Sequence, residues 1–143
     1  MSQWRAQVEL PIEPTSPAIA RDIVGLLLGA WGLERFQDDL AIITSELVTN
    51  VYVHTPRADS FELELVSHGA GVRLSIADGY TIKPVIKELN PETPTGRGLQ
   101  LVQALASRWG SEEHEGGKRV WVELDERPDA PLTQTAPVTT VSP

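Results

Sequence analysis

Three short segments carry residues whose types and spacing could do chemistry. Glu46 and Asn50 stand four residues apart, and His54 continues that line. An Asn amide oxygen can ligate Mg²⁺, a hard cation that keeps waters and substrate phosphates in its shell. A Glu one turn away can orient or deprotonate a nucleophile. Asp78 ends an apolar run and is followed by Gly79 and Tyr80. A carboxylate there can accept from an exocyclic amine such as that of adenine. Thr95, Gly96, Arg97, Gly98 and Leu99 open a third segment. Glycines at a helix start let backbone N–H groups approach a phosphate, with the helix dipole in favour, and Arg97 can add a charge-assisted contact. Each segment alone also has a plain structural reading: a solvated helix edge, an Asp-Gly turn, a loop-to-helix junction. Together they are the parts that hold a nucleotide and its metal.

The remaining composition narrows the classes. The chain has 143 residues, 41% hydrophobic and 22% charged, which fits one globular domain with a core of its own. Net charge is −8 with no cluster of Lys and Arg, so nucleic acid is not expected as a direct partner. There are no cysteines, which excludes disulfides and cysteine metal sites. His54, His68 and His114 lack metal-ligand spacing. The first ten residues show no signal-peptide pattern. The apolar run from Ile23 to Leu33 is about half of what crosses a bilayer. A cytoplasmic protein without membrane contact is the expectation.

The elements that must position these residues follow from periodicity. Trp4, Ala6, Val8 and Leu10 alternate with polar residues and predict a half-buried strand. Ser16 and Pro17 predict an N-cap with proline at the first helical position. That helix runs to about Trp31, buries Ile19, Ile23, Leu26, Leu27 and Ala30, and closes at Gly32. A second helix spans about Arg35 to His54, with Leu40, Ile43, Leu47 and Val51 on one stripe. Glu46, Asn50 and His54 lie beside it. Two strands built on Phe61, Leu63, Leu65 and Val72, Leu74, Ile76 form a hairpin through His68–Gly71. A long loop from Gly79 to Thr95 precedes a helix over Arg97–Arg108, burying Leu99, Val102, Leu105 and Ala106, with Gly110 as its cap. A hairpin at Glu115–Lys118 leads into a strand with Val120, Val122 and Leu124 on one face and Trp121 on the other. Trp31, Trp109 and Trp121 read as packing residues. Residues 1–125 form the domain, and residues 126–143, rich in Pro, Thr, Ala and Ser, read as a disordered tail. The order β-α-α-β-β-loop-α-β-β predicts an α/β two-layer sandwich, a mixed, mostly antiparallel sheet with helices on one face.

In this order and spacing the segments resemble the histidine-kinase-like ATPase superfamily, and within it the short anti-sigma-factor serine-protein kinases of bacteria. The likeness covers about residues 5–125. It rests on residues 46–50, Asp78, Gly96–Leu99, Trp109-Gly110 and Gly117–Trp121. It implies that Glu46 is the general base for a partner serine hydroxyl, that Asn50 ligates Mg²⁺, and that Asp78 binds the adenine amine. Gly96, Arg97, Gly98 and Leu99 would cradle the phosphates of ATP. Residues 84–95, from Pro84 to Thr95, would be the ATP lid. His54, Gly79, Tyr80, Lys118 and Arg119 would line the same nucleotide site. The implied partners are a sigma factor, held off RNA polymerase, and an antagonist protein that is phosphorylated. Relatives dimerise through the first helix and the helix-free part of the sheet, which implies a homodimer.

Two positions depart from the family pattern. Tyr80 replaces a small residue two places after the Asp, and Arg119 replaces a Thr after Gly117 and Lys118. The P-loop pattern that Gly117 and Lys118 suggest is incomplete. The departures favour an alternative, a non-catalytic partner-binding module on the same fold that has weak or no nucleotide binding. A third reading, an ATP hydrolase without a protein substrate, has no transducer domain to support it.

Overall fold

Alternating apolar and polar residues build a five-stranded sheet, and apolar residues recurring every three to four positions build the helices that lie on it. The computed structural model describes residues 3–54, 59–69, 71–78, 94–114 and 117–126. Within these, β1 (Arg5–Pro11) leads to α1 (Ser16–Ala30), a 3₁₀ turn (Glu34–Phe36) and α2 (Gln37–His54). Then come β2 (Ser60–His68), β3 (Gly71–Asp78), α3 (Pro94–Leu105), β4 (Arg108–His114) and β5 (Gly117–Asp125). No helix among the described residues is long and apolar enough to cross a membrane.

The strand order is β1-β2-β3-β5-β4. Among the described residues every strand pair is antiparallel, where the sequence pattern predicts a mixed, mostly antiparallel sheet. The reason is the last hairpin. α3 carries the chain past β3 to the outer edge, and β5 folds back into the gap between β3 and β4, antiparallel to both. Phe61, Leu63 and Leu65, Val72, Leu74 and Ile76, and Val120, Val122 and Leu124 share one face and are buried. They join Ala20, Val24 and Leu28 of α1, the α2 stripe of Leu40, Ile43, Leu47 and Val51, and Val102 of α3 in one core. All three helices thus cover one face, giving two layers. Each large side chain so buried contributes about 1.5–3 kcal/mol relative to exposure.

The opposite face is polar and charged. Arg73 and Arg108 converge on Glu123, at 3.6 and 2.7 Å, and Arg108 also reaches Asp125. Arg108 holds the Asp125 carboxyl below its ordinary range, chiefly through its hydrogen bond. The Arg73 guanidinium lies 4.5 Å from the Trp121 ring centre.

Both outer helices depart from the expected pattern. In α1 the core-facing residues are Ala20, Val24 and Leu28, whereas Ile19 and Leu26 are 41% and 75% exposed and Ala30 is exposed. The segment is apolar nearly all round, so periodicity alone could not choose its face. The small Ala20 lets α1 sit close to its neighbours. Ser16 does not act as the cap. It is the first helical residue, buried, and its hydroxyl donates to the Pro11 carbonyl and accepts from the Glu13 N–H. The helix end is as expected. Gly32 adopts φ +73°, and Leu33 N–H bonds Leu28 O while Gly32 N–H bonds Gly29 O, a Schellman closure.

α3 starts at Pro94 and stops at Leu105, three residues earlier at each end than expected. Ser107 N–H turns to the Glu123 carbonyl, and Arg108 is locked across to β5 by Glu123 and Asp125. Trp109 and Gly110 therefore belong to β4. Gly110 serves close approach rather than capping, since a Cβ there would meet the Trp121 ring at 2.9 Å.

Candidate functional site

Asp78 is the last residue of β3, and in the ladder it faces Lys118, the second residue of β5. Parity along both strands puts the two side chains on the helix-facing side, in line with Ile76 and Val120. The side chains are 1% and 7% exposed, and the Lys118 Nζ lies 4.0 Å from Asp78 Oδ2. Burial pushes the Lys118 ammonium below the ordinary lysine range, and the charge of Asp78 opposes that shift. An ammonium and a carboxylate are thus held side by side at the end of the sheet, largely out of water.

The helix polarity brings the other segments to the same end. A cleft of about 370 Å³ is lined by Arg35 of the 3₁₀ turn and Asp39 at the start of α2, by Leu105 at the end of α3 with Ser107 just after it, and by Leu124 near the end of β5 with Glu126 just after it. Those three chain ends mark the far end of the domain. α2, 18 residues long, starts at that cleft, and α3, 12 residues long, ends there, and the two pack against each other. Their other termini lie towards the edge where β3 finishes at Asp78 and β5 begins. α2 also packs against β3.

Glu46 and Asn50 occupy the second half of α2 and are both half-buried. They stand on adjacent turns, about 6 Å apart along the axis. Desolvation raises the Glu46 pKa above the ordinary carboxylate value, which brings a general base closer to neutral pH. His54 is the last residue of α2. Thr95, Gly96, Arg97, Gly98 and Leu99 form the opening turns of α3, so the glycine pair sits within the helix start rather than before it. For these five and His54 the backbone is described and the side chains lie outside the described residues. Gly79, Tyr80 and Pro84 also lie outside them.

Arg119 is not brought to this site. Its side chain takes the opposite parity from Lys118, onto the open face, 3.4 Å from Glu112. A concavity of about 740 Å³ on that face is lined by Arg119 together with Arg5, Glu64, His68, Arg73 and Glu123. Arg5 and Gln7 both donate to the buried Glu64 there.

The Asp78–Lys118 pairing is what the sequence reading missed. Its signal was present. Lys118 has the same parity as Val120, Val122 and Leu124, and Arg119 the same as Trp121. The alternation that put Val120 inward also puts Lys118 inward.

Among the described residues no three His, Asp or Glu side chains gather into a metal cage. A cation bound beside Asn50 would take most of its ligands from phosphate and water, which suits Mg²⁺. The donor set fits a nucleotide in the same sense, with a buried carboxylate for a base, an amide oxygen for the cation and a glycine-bearing helix start for phosphate. Compared with known protein families the chain matches no family model, and no curated protein matches it.

Proposed function

We propose that this chain is an ATP- and Mg²⁺-dependent serine/threonine-protein kinase of the anti-sigma-factor type, on the histidine-kinase-like ATPase fold. The observation that carries the reading is the convergence of the second half of α2, the end of β3 and the start of α3 on one end of the domain. The α/β sheet with its three helices supports it. Bound Mg²⁺-ATP supplies the phosphoryl group and neutralises its charge. The chain's own residues do the rest, mostly by positioning. Asp78 accepts from the exocyclic amine of the base and fixes its orientation. Asn50 offers its amide oxygen to the cation. The N–H groups at the start of α3 receive phosphate oxygens. Glu46, its pKa raised by burial, takes the proton of the acceptor hydroxyl. The acceptor in this reading is a serine of an antagonist protein, and the sequestered partner is a sigma factor.

A second reading is favoured by one observation. The Asp78 carboxylate is 1% exposed with Lys118 beside it, as in a site its own lysine has filled. The chain is then a partner-binding module with weak or no nucleotide binding. Calorimetric titration with ATP and Mg²⁺ separates the two. The kinase reading expects saturable one-to-one binding, weakened by Asp78→Asn. It also expects phosphate transfer to the antagonist to be lost in Glu46→Ala with binding retained. No heat and no thermal shift at millimolar ATP would leave the binding module as the function.

A further inference from the structure

Glu64 lines the 740 Å³ concavity on the helix-free face of the sheet, yet its side chain is only 9% exposed. Both of its donors meet one oxygen. Arg5 Nε and Gln7 Nε2 donate to Oε2. Among the described residues Oε1 accepts no hydrogen bond, and it is not sealed off from solvent. An arginine–carboxylate pair can share two parallel bonds. This pair shares one, which leaves both Arg5 Nη groups without a bond among the described residues. Ser75 stands directly opposite Glu64 in the β2–β3 ladder and lines the same concavity. It is 3% exposed, and its hydroxyl is likewise unbonded and open to the concavity. A carboxylate left half satisfied so far from water is costly. An occupant that completes it gains more there than at an exposed carboxylate.

The lining also fixes the charge of that occupant. Three arginines, Arg5, Arg73 and Arg119, and three glutamates, Glu64, Glu112 and Glu123, line the concavity. Arg73 lies 3.6 Å from Glu123 and Arg119 lies 3.4 Å from Glu112, so these charges already face one another. The open ends are those of the Arg5–Glu64 pair and the Ser75 hydroxyl. They call for a charged N–H donor at Oε1 and Oγ, and an oxygen acceptor at the Nη groups. An occupant with a single net charge would upset the balance of the lining, and a zwitterion would not. In an α-amino acid the ammonium and the carboxylate hang on one carbon, just as the free acceptor and the free donors here flank one hydrogen bond. The volume falls within the range of small-molecule sites, about 300–1,000 Å³.

We propose that this concavity binds a free α-amino acid as its zwitterion. The ammonium donates to Glu64 Oε1 and Ser75 Oγ, and the carboxylate accepts from the Nη groups of Arg5. The site lies on the face of the sheet away from the helices. It stands independently of the nucleotide reading.

The test is calorimetric titration of the unaltered chain with a panel of L-amino acids whose side chains are small, apolar, polar and charged. At least one is expected to bind saturably, one to one, at millimolar concentration or below. The best binder is then compared with its N-acetyl form, which has no ammonium, and its amide, which has no carboxylate. Each is expected to bind about 10- to 100-fold more weakly, the worth of a hydrogen bond to a charged group. Ser75→Ala should weaken the parent amino acid about 10-fold, and Glu64→Gln should abolish its binding, with thermal melts showing that both variants are folded. No binding by any member of the panel overturns the proposal. So does equal binding of the two derivatives, because a side chain alone is then being read. Full binding by folded Ser75→Ala and Glu64→Gln would put the ligand elsewhere, and the proposal would fall. The comparison of derivatives uses the unaltered chain, so it decides even where a variant does not fold.

Discussion

Removing the carboxylate of Asp78 while leaving Lys118 in place should be costly, and removing both charges should not. At 4.0 Å and an effective dielectric of 20, the attraction between the two is about 4 kcal/mol. The side chains are 1% and 7% exposed, so solvent screens little of it. Asp78→Asn cancels that attraction and leaves an ammonium buried. A loss of about 2–4 kcal/mol at pH 7 is expected, near the range for breaking a buried pair. In the Asp78→Asn/Lys118→Met double variant neither charge of the pair remains, and stability should return to within about 1 kcal/mol of the parent. Urea unfolding gives each value, with the slope unchanged if only stability has moved. The pH dependence supplies a second check. Burial already holds the Lys118 pKa below the ordinary lysine value, and Asp78 is the charge that raises it. With Asp78 gone the pKa falls further. The single variant should therefore regain stability as pH rises and the buried amine loses its proton. A cost below about 0.5 kcal/mol, or a double variant equal to the sum of the two singles, would refute the reasoning.

Gly71→Ala would drive a Cβ into the Leu124 carbonyl oxygen. Backbone there cannot yield without breaking the β3–β5 ladder, so a lower urea midpoint and a loss of about 2–3 kcal/mol are expected. Leu74→Ala, at a fully buried position, should cost about 2–5 kcal/mol. Leu26→Ala, at a residue 75% exposed, should stay within about 0.5 kcal/mol, and equal losses at the two sites would contradict the packing described. Glu46→Gln bears on the raised pKa of that residue. Its ionised form is disfavoured in the folded state, so at pH 7 the variant should be slightly more stable, by about 0.5 kcal/mol after allowance for its partial exposure. The gain should vanish below the ordinary carboxylate pKa, where Glu46 is neutral folded or unfolded. Thermal melts at pH 4 and pH 7 read this, and a loss of stability at pH 7 would contradict it.

Much of the framework around the candidate site was legible in the sequence. Strict alternation in Phe61–Leu65, Val72–Ile76 and Val120–Leu124 leaves one face to bury, and those residues are buried. The stripe Leu40, Ile43, Leu47 and Val51 is also buried, which puts Glu46 and Asn50 at its edge as the spacing requires. The strand end at Asp78 and the helix start around Gly96 were both readable from local sequence. Where the sequence failed, two local patterns fitted equally well. α1 is apolar on nearly every side, so which of Ile19, Leu26 and Leu28 is covered depends on what α1 packs against. Trp109 and Gly110 read as a helix end, because nothing nearby in sequence shows that Arg108 is held by Glu123 and Asp125.

Sequence by itself determined the element order, the inward parity of the strands and the residue types available for chemistry. These depend on periods of two and 3.6 residues, which are local and visible in one dimension. Tertiary structure alone decided that β5 lies between β3 and β4. It also decided that the start of α2 and the end of α3 meet at a common cleft. Those two facts set Lys118 opposite Asp78 and bring Glu46, Asn50 and the glycines of α3 towards the same end. Pairing between strands some forty residues apart is settled by the packing of the whole sheet, and no local pattern encodes it.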